Sequence, residues 1–254
     1  MSDFLMLVIV DKTDNNYSFL PINRDTMSEV RLIQDDGTGA ATAELQLCTA
    51  HWYGGNAGQS CANTVESISK LFGGLKIDGY YAIPMDEIPK LNHSVGGVTV
   101  TLLEDFQDID RQMKKGETLA LSDEQAYRYI HDRYGVGDEK NTSRMKRQQQ
   151  YMEAFFTKAK EKAKSDKAYV GQLFREFEQT ATTNLTAKKI SGLTNRLIKG
   201  TQKGFFEIKG TSKIGKALGD GIDHAEFYPD KESIIDVMTK IYGLKTVSYT
   251  HLRA

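Results

Sequence analysis

The stretch that most constrains this chain is residues 122–152, SDEQAYRYIHDRYGVGDEKNTSRMKRQQQYM, a helix–loop–helix pattern with cations where a helix should not want them. Asp123 to Asp132 reads as one helix, and Tyr134 to Asn141, with Gly135 and Gly137, as the loop that returns the chain. Thr142 or Ser143 is the expected N-cap of a second helix, whose apolar stripe runs through Met145, Met152, Phe155, Phe156 and Ala159. The first two turns of that helix carry Arg144, Lys146 and Arg147. A helix N-terminus already presents unpaired N–H groups and partial positive charge, so these cations cost free energy unless something anionic offsets it. Arg144, Arg147 and Gln148 are related by i,i+3 and i,i+4 and share one face. With Arg133 at the junction, they make either a phosphate-binding turn of guanidinium forks or a solvated basic end paired with Asp138 and Glu139.

Composition narrows the field. At 254 residues, 39% hydrophobic and 26% charged, the chain is long enough for one substantial core. A formal net charge of −1 supplies no bulk field toward nucleic acid or acidic membranes, so any anion site is local. The early apolar run Phe4 to Val10 is too short for a bilayer span or a full signal peptide. Cys48 and Cys61 fit neither a zinc spacing nor CxxC, which leaves a local disulfide or two buried thiols.

Taken in order, FLMLVIV at residues 4–10 is apolar on both strand faces and predicts a central strand. DKTDNN is a turn, Tyr17 to Ile22 returns as the second strand of a hairpin, and Arg24 emerges at its end beside Asp25. Gly37 to Ala50 reads as a polar loop entering an alanine-rich helix that ends at His51 and Trp52. His51 is expected to be a hydrogen-bonded structural histidine, and Trp52 packs either a lipid or the core. Helices are expected over Ser60–Phe72, Asp86–Asn92, Val170–Thr180, Lys188–Lys199 and Asp230–Tyr242. Strands are expected over Asp78–Ile83, Gly204–Gly210 and His224–Tyr228, and over Val95–Leu103 after a turn at Gly96 and Gly97. Alternating strands and helices predict an α/β fold, a mixed central β-sheet sandwiched between helices in an α/β/α arrangement. One domain spans residues 1–243, and 244–254, ending VSYTHLRA, reads as a non-native or disordered tail.

Three blocks carry a resemblance. Arg133, Gly137, Asp138, Arg144, Arg147, Gln148 and Gln149 form the first, Pro21 to Thr26 (PINRDT) the second, and Ser2 and Asp3 followed by an apolar strand and Asp11 the third. Their order and spacing over residues 2–150 resemble the LytR-CpsA-Psr (LCP) family, more weakly to about residue 243. The resemblance implies an N-terminally truncated phosphotransferase that attaches polyprenyl-pyrophosphate-linked cell-wall glycopolymers, of teichoic acid or capsule type, to peptidoglycan. It places the membrane-anchored parent on the extracytoplasmic face of a bacterial cell membrane, with no nucleic-acid partner. Arg24, Arg133, Arg144 and Arg147 are implied as catalytic residues on the pyrophosphate, supported by Gln148. His131 stands where the family often has another arginine, and its mostly neutral ring can still donate to phosphate. Asp3 is implied as a ligand for Mg²⁺ or Mn²⁺, with a partner aspartate further upstream in the family. Phe155 and Phe156 line a prenyl tunnel or simply pack the core. Two alternatives remain open at this level, a polyprenyl-pyrophosphate hydrolase and a non-enzymatic binder of lipid-linked glycans.

Overall fold

The structure is a computed structural model describing residues 1–34 and 41–243. In chain order the elements are β1 (Leu5–Val10), β2 (Tyr17–Ile22), β3 (Met27–Leu32), β4 (Ala41–Gln46), α1 (Ala57–Leu71), β5 (Tyr81–Ala82), α2 (Ile88–Ser94), β6 (Thr99–Thr101) and β7 (Thr118–Ala120). They continue as α3 (Asp123–His131), α4 (Asn141–Ser165), α5 (Tyr169–Phe177), β8 (Thr182–Thr183), α6 (Ala187–Lys199), β9 (Gln202–Phe205), β10 (Gly210–Gly215), β11 (His224–Pro229) and α7 (Lys231–Tyr242). The fold is a mixed α/β one, as the alternation predicts. A three-stranded sheet in the order β1-β2-β9 pairs antiparallel on one side of β2 and parallel on the other, and the remaining described strands form two-stranded ribbons.

Period-2 alternation in β2 explains how helices cover this sheet. Phe19 points to one face, where it stacks on Phe156 of α4 at 4.6 Å and on Phe205 at 4.8 Å. Leu20 and Ile22 cluster with Ile68 and Phe72 at the end of α1 and Val237 of α7, joined by Leu5, Leu7 and Ile9 of β1. A second core gathers β6, α3 and α4 around Leu102, Phe106, Tyr129, Tyr151 and Phe155. Pro21 is tolerated inside β2 because the pairing with β9 covers only Tyr17 to Phe19, so no N–H is needed on that side. Beyond Phe19 β2 keeps only β1 as a ladder partner, up to Ile22, and the turn that follows carries Asn23 to α4.

Three expectations are corrected. The central strand is β2, buried at every residue, whereas β1 is an edge strand with Val8 38% exposed. Its apolar residues of odd number face the α1–α7 layer and the other face is only partly covered, so an apolar run did not mean two covered faces. The alanine-rich segment expected to be helical forms β4, because Ala41 to Gln46 pairs with β3 over its whole length, and ladder bonding outweighs alanine's weak helix preference; only Leu47 to His51 coils, as a 3₁₀ turn. The strand expected at Gly204–Gly210 is split, β9 ending at Phe205 and β10 starting at Gly210. Cys48 and Cys61 are both buried free thiols, not a disulfide. The tail expected at 244–254 lies outside the described residues, as does part of the loop expected from Gly37.

Candidate functional site

α4 starts at Asn141, with Lys140 at the cap and no side-chain cap, so neither Thr142 nor Ser143 caps it. Asp138 takes the capping work into the loop instead, its Oδ1 accepting from Lys140 N at 3.0 Å. Glu139 adopts a left-handed φ of 57°. Asn141 is thereby freed to point inward. Its Nδ2 donates to Asn23 Oδ1 at 2.8 Å, and its own Oδ1 accepts from Arg144 Nε and Nη2 at 3.2 and 2.8 Å. Asn23 also shapes the turn after β2, its side chain accepting from Asp25 N and its carbonyl from Thr26 N and Oγ1. One asparagine pair thus ties the turn that carries Arg24 to the helix that carries Arg144.

Between them sits Asp3. Its Oδ1 pairs with Arg24 Nη1 and lies 3.6 Å from Arg144 Nη1. Asp25 Oδ1 is 3.7 Å from Arg24 Nε, beyond hydrogen-bond reach, and that buried Nε has no hydrogen-bond acceptor among the described residues. Burial disfavours the Arg24 charge, but Cys48, Asp3 and Asp25 outweigh it and raise its pKa. Arg144, 5% exposed, responds the other way: burial and the like charges of Arg24 and Arg133 lower it to about 10, against the pull of Asp3 and Asp25. Burial raises the Asp25 carboxyl pKa despite Arg24, Arg133 and Arg144 around it. Three guanidinium groups against two carboxylates leave an excess of positive charge that an anion can satisfy.

Arg147 and Gln148 are built differently. An α-helix leaves its last carbonyls without partners, and α3 hands its own to α4. Tyr129 O accepts from Arg147 Nη1, Ile130 O from Gln148 Nε2 at 3.0 Å, His131 O from Arg144 Nη1 at 3.4 Å and Asp132 O from Arg147 Nη2 at 2.6 Å. These cations lie at the C-terminal end of α3, where a helix favours positive charge, and this partly resolves their apparent misplacement on α4. Neither arginine pairs with Asp138 or Glu139: Asp138 is near Lys140, and Glu139 accepts from Gly135 N.

His131 is half-buried, its ring stacked on Tyr127 at 4.8 Å and its Nδ1 3.0 Å from Asp132 Oδ1. Arg133 lies just past α3 with its guanidinium 4.6 Å from the exposed Tyr134 ring, and it acts electrostatically on both Asp25 and Arg144. Arg24, Arg144 and Asp3 thus meet directly, Arg133 is coupled through charge, and Arg147, Gln148 and His131 hold or flank the helix end. Among the described residues no group of three or more His, Cys, Asp or Glu side chains gathers to hold a metal ion, and Asp3 already faces two arginines.

Beside Asn23 and the first turns of α4 a partly enclosed cavity of about 90 Å³ is lined by Pro21, Ile22, Leu71, Met145, Phe206 and Phe227, with Lys146 and Gln149 at its edge. A larger cleft of about 740 Å³ runs along α7 near Lys209, Asp230 and Lys240 and contains none of the arginines. Phe155 and Phe156 pack in the core through Tyr151 and Phe19. His51 is partly buried, and burial lowers its pKa, which keeps its ring neutral at pH 7. Trp52 is 55% exposed and so is not a core residue. Sequence reading passed over Asn141 and Glu104. A lone glutamate in a loop gives no signal, but an asparagine at the start of a basic helix does.

The described residues thus form a mixed α/β protein in which a buried arginine cluster joins a strand-end turn to a helix N-terminus. The sequence model of the LytR_cpsA_psr family matches residues 1–241, and the chain belongs to that family, whose members attach cell-wall glycopolymers to peptidoglycan. Solved structures agree on the fold. B. subtilis TagV is 21% identical, the match covering 95% of this chain and 88% of that one with a TM-score of 0.65. B. subtilis TagT is 18% identical over 95% and 85% of the two chains at 0.65. The gbs0355 protein of Streptococcus agalactiae is 20% identical over 97% and 82% at 0.71. No curated protein matches the sequence. Among the described residues no helix is long and apolar enough to cross a membrane.

Proposed function

We propose that this chain is a phosphotransferase that moves a glycopolymer, as its sugar phosphate, from a polyprenyl-pyrophosphate donor to a hydroxyl of peptidoglycan. The observation that carries the reading is the Arg24–Arg144–Arg133 cluster, in which burial, and after it the like charges of Arg24 and Arg133, lower the Arg144 pKa to about 10, and in which Arg24 Nε is buried without an acceptor among the described residues. A pyrophosphate supplies the missing negative charge and acceptors. In the transfer, the acceptor oxygen forms a bond to the sugar-bearing phosphorus, the bridging P–O bond breaks, and polyprenyl phosphate leaves as the hydroxyl proton is released. Charge builds on the phosphoryl oxygens and on the departing bridge oxygen, where fixed guanidinium groups stabilise it without reorganising. The structures titled TagT bound to LI-WTA and to LIIa-WTA, wall teichoic acid precursors, concern a protein of the same fold and favour a lipid-linked glycan as the donor here.

Asp3 is the residue we would assign to Mg²⁺ or Mn²⁺, and no step is routed through the ion. The apolar cavity beside Asn23 is where a prenyl chain would begin; at about 90 Å³ it admits only the start of one, so a long chain requires the surrounding elements to part. The extracytoplasmic location and a membrane-anchored parent belong to the same proposal.

The test is lipid extraction and mass spectrometry on the purified protein beside an Arg24→Ala/Arg144→Ala variant. Polyprenyl phosphate or pyrophosphate is expected in the first and absent from the second. Equal lipid in both proteins would show that the cluster is not the anion site. Product formation that needs no added acceptor would instead mark a hydrolase.

A further inference from the structure

We propose that Glu104 is a positioning residue for the anion site, acting through Arg147, and that Arg147 and Gln148 hold the end of α3 rather than touch the phosphates. The inference rests on the reading above, in which Arg24, Arg133 and Arg144 receive a pyrophosphate.

Glu104 lies in the loop after β6, and its Oε2 is 2.7 Å from Arg147 Nε, with the two side chains 13% and 1% exposed. Both atoms are buried, and neither has a hydrogen bond of good angular geometry, so this contact is an ion pair at close range rather than an aligned hydrogen bond. The rest of the Arg147 guanidinium is committed as well. Its two Nη atoms serve the Tyr129 and Asp132 carbonyls, and its carbon lies 4.9 Å from the Phe106 ring centroid and 5.8 Å from that of Tyr129. A phosphate reaching Arg147 would have to displace Glu104 or uncap α3. Burial lowers the Arg147 pKa against the pull of Glu104.

The same loop holds the neighbouring backbone. Leu103 N donates to Tyr129 Oη at 3.3 Å. Gly137, at φ +55°, lies so close to the Glu104 carboxyl that a Cβ at residue 137 would run into it. Glu104 therefore packs on the turn that feeds α4 while neutralising the arginine that caps α3. A buried charge stripped of its partner is not retained in place. Without Glu104, Arg147 leaves its carbonyls, and the end of α3 is released. That end carries His131, whose carbonyl takes Arg144 Nη1, and the chain reaches Arg133 two residues later.

The test is calorimetric titration with inorganic pyrophosphate of the wild-type chain, Glu104→Gln, Glu104→Asp and Arg24→Gln, with hydrogen exchange of the 130–140 amides measured in parallel. Positioning predicts that Glu104→Gln weakens binding about tenfold or more. It also predicts that Glu104→Asp, which keeps the charge, recovers part of the loss. A mere background charge predicts the opposite sign, because removing a carboxylate near an anion site tightens anion binding. Unchanged or tighter binding in Glu104→Gln therefore overturns the proposal. Exchange at 130–140 should speed up in Glu104→Gln, with α1 unaffected and Arg24→Gln unchanged there; undisturbed protection in Glu104→Gln overturns it too. A wild-type chain that ignores pyrophosphate would defeat the anion-site reading, and the exchange result would still decide whether Glu104 holds the helix end.

Discussion

Arg144 and Arg147 lie about one turn apart on α4, yet they belong to regions built on opposite principles. Arg147 sits where the protein matches its charge closely: Glu104 as an ion pair at its Nε, two α3 carbonyls on its Nη atoms, an aromatic ring beneath. Arg144 sits among groups that contest its charge, with Arg24 and Arg133 repelling it and Asp3 shared between two cations. The first region has its charge neutralised within the protein and, in the inference above, serves as scaffold. The second is incomplete, and on the proposed reading that incompleteness is what an anion fills. A buried arginine by its presence says nothing about function; what decides is whether its field is already satisfied.

Substitutions along this one helix can break or sharpen the contrast. The largest stability effect is expected from Arg147→Ala, which leaves Glu104 buried without its partner and uncaps α3. Urea unfolding should show a loss of about 3–5 kcal/mol, and a loss under about 1 kcal/mol would erase the distinction drawn between the two arginines. Arg144→Ala should do the reverse, lowering affinity for pyrophosphate by about 2–3 kcal/mol, roughly 30- to 150-fold, while stability moves by less than about 1 kcal/mol.

The Arg144 charge can also be removed by titration. Because its pKa is lowered to about 10, protein without bound anion holds this proton less tightly than the unfolded chain does. The charge thus costs stability below the folded pKa, and that cost is relieved as pH rises from about 10 toward the ordinary arginine range near 12.5. Anion affinity follows the proton with the opposite sign, level below pH 10 and falling above it. Titration calorimetry showing no fall until the ordinary arginine range would mean that burial and the charges of Arg24 and Arg133 do not bear on Arg144 as the structure has them. The smallest effect is expected from Lys146→Ala. Lys146 is exposed between the two arginines, and its removal should change stability by no more than about 0.5 kcal/mol and salt-corrected affinity by less than about threefold.

Much of the framework was legible because it depends on local pattern. The hairpin of β1 and β2 follows from two apolar strand runs on either side of the DKTDNN turn, and α3 forms where Asp123 to Asp132 reads as a helix, the structure adding a capping box of Ser122 and Gln125 at its start. Loop glycines 135 and 137 do adopt positive φ, as the expected return turn requires. The arginine block was legible as an electrostatic anomaly at a helix start. What failed were judgements that needed a neighbour: β1 as centre or edge, the 41–46 segment as helix or strand, and the cap of α4, expected at Thr142 or Ser143 and found at Lys140.

The sequence by itself determined that a helix beginning near residue 141 carries three cations on its first turns, and that a strand ending at Ile22 delivers Arg24 close behind it. Periodicity and helix electrostatics are short-range, so they survive in one dimension. Tertiary structure alone decided which of those cations are spent. Whether a guanidinium is satisfied depends on carbonyls 15 and 18 residues away and on Glu104, 43 positions upstream of Arg147. Coulomb energy is set by distance in space, and only the fold brings Glu104 to Arg147 and leaves Arg144 facing Arg24.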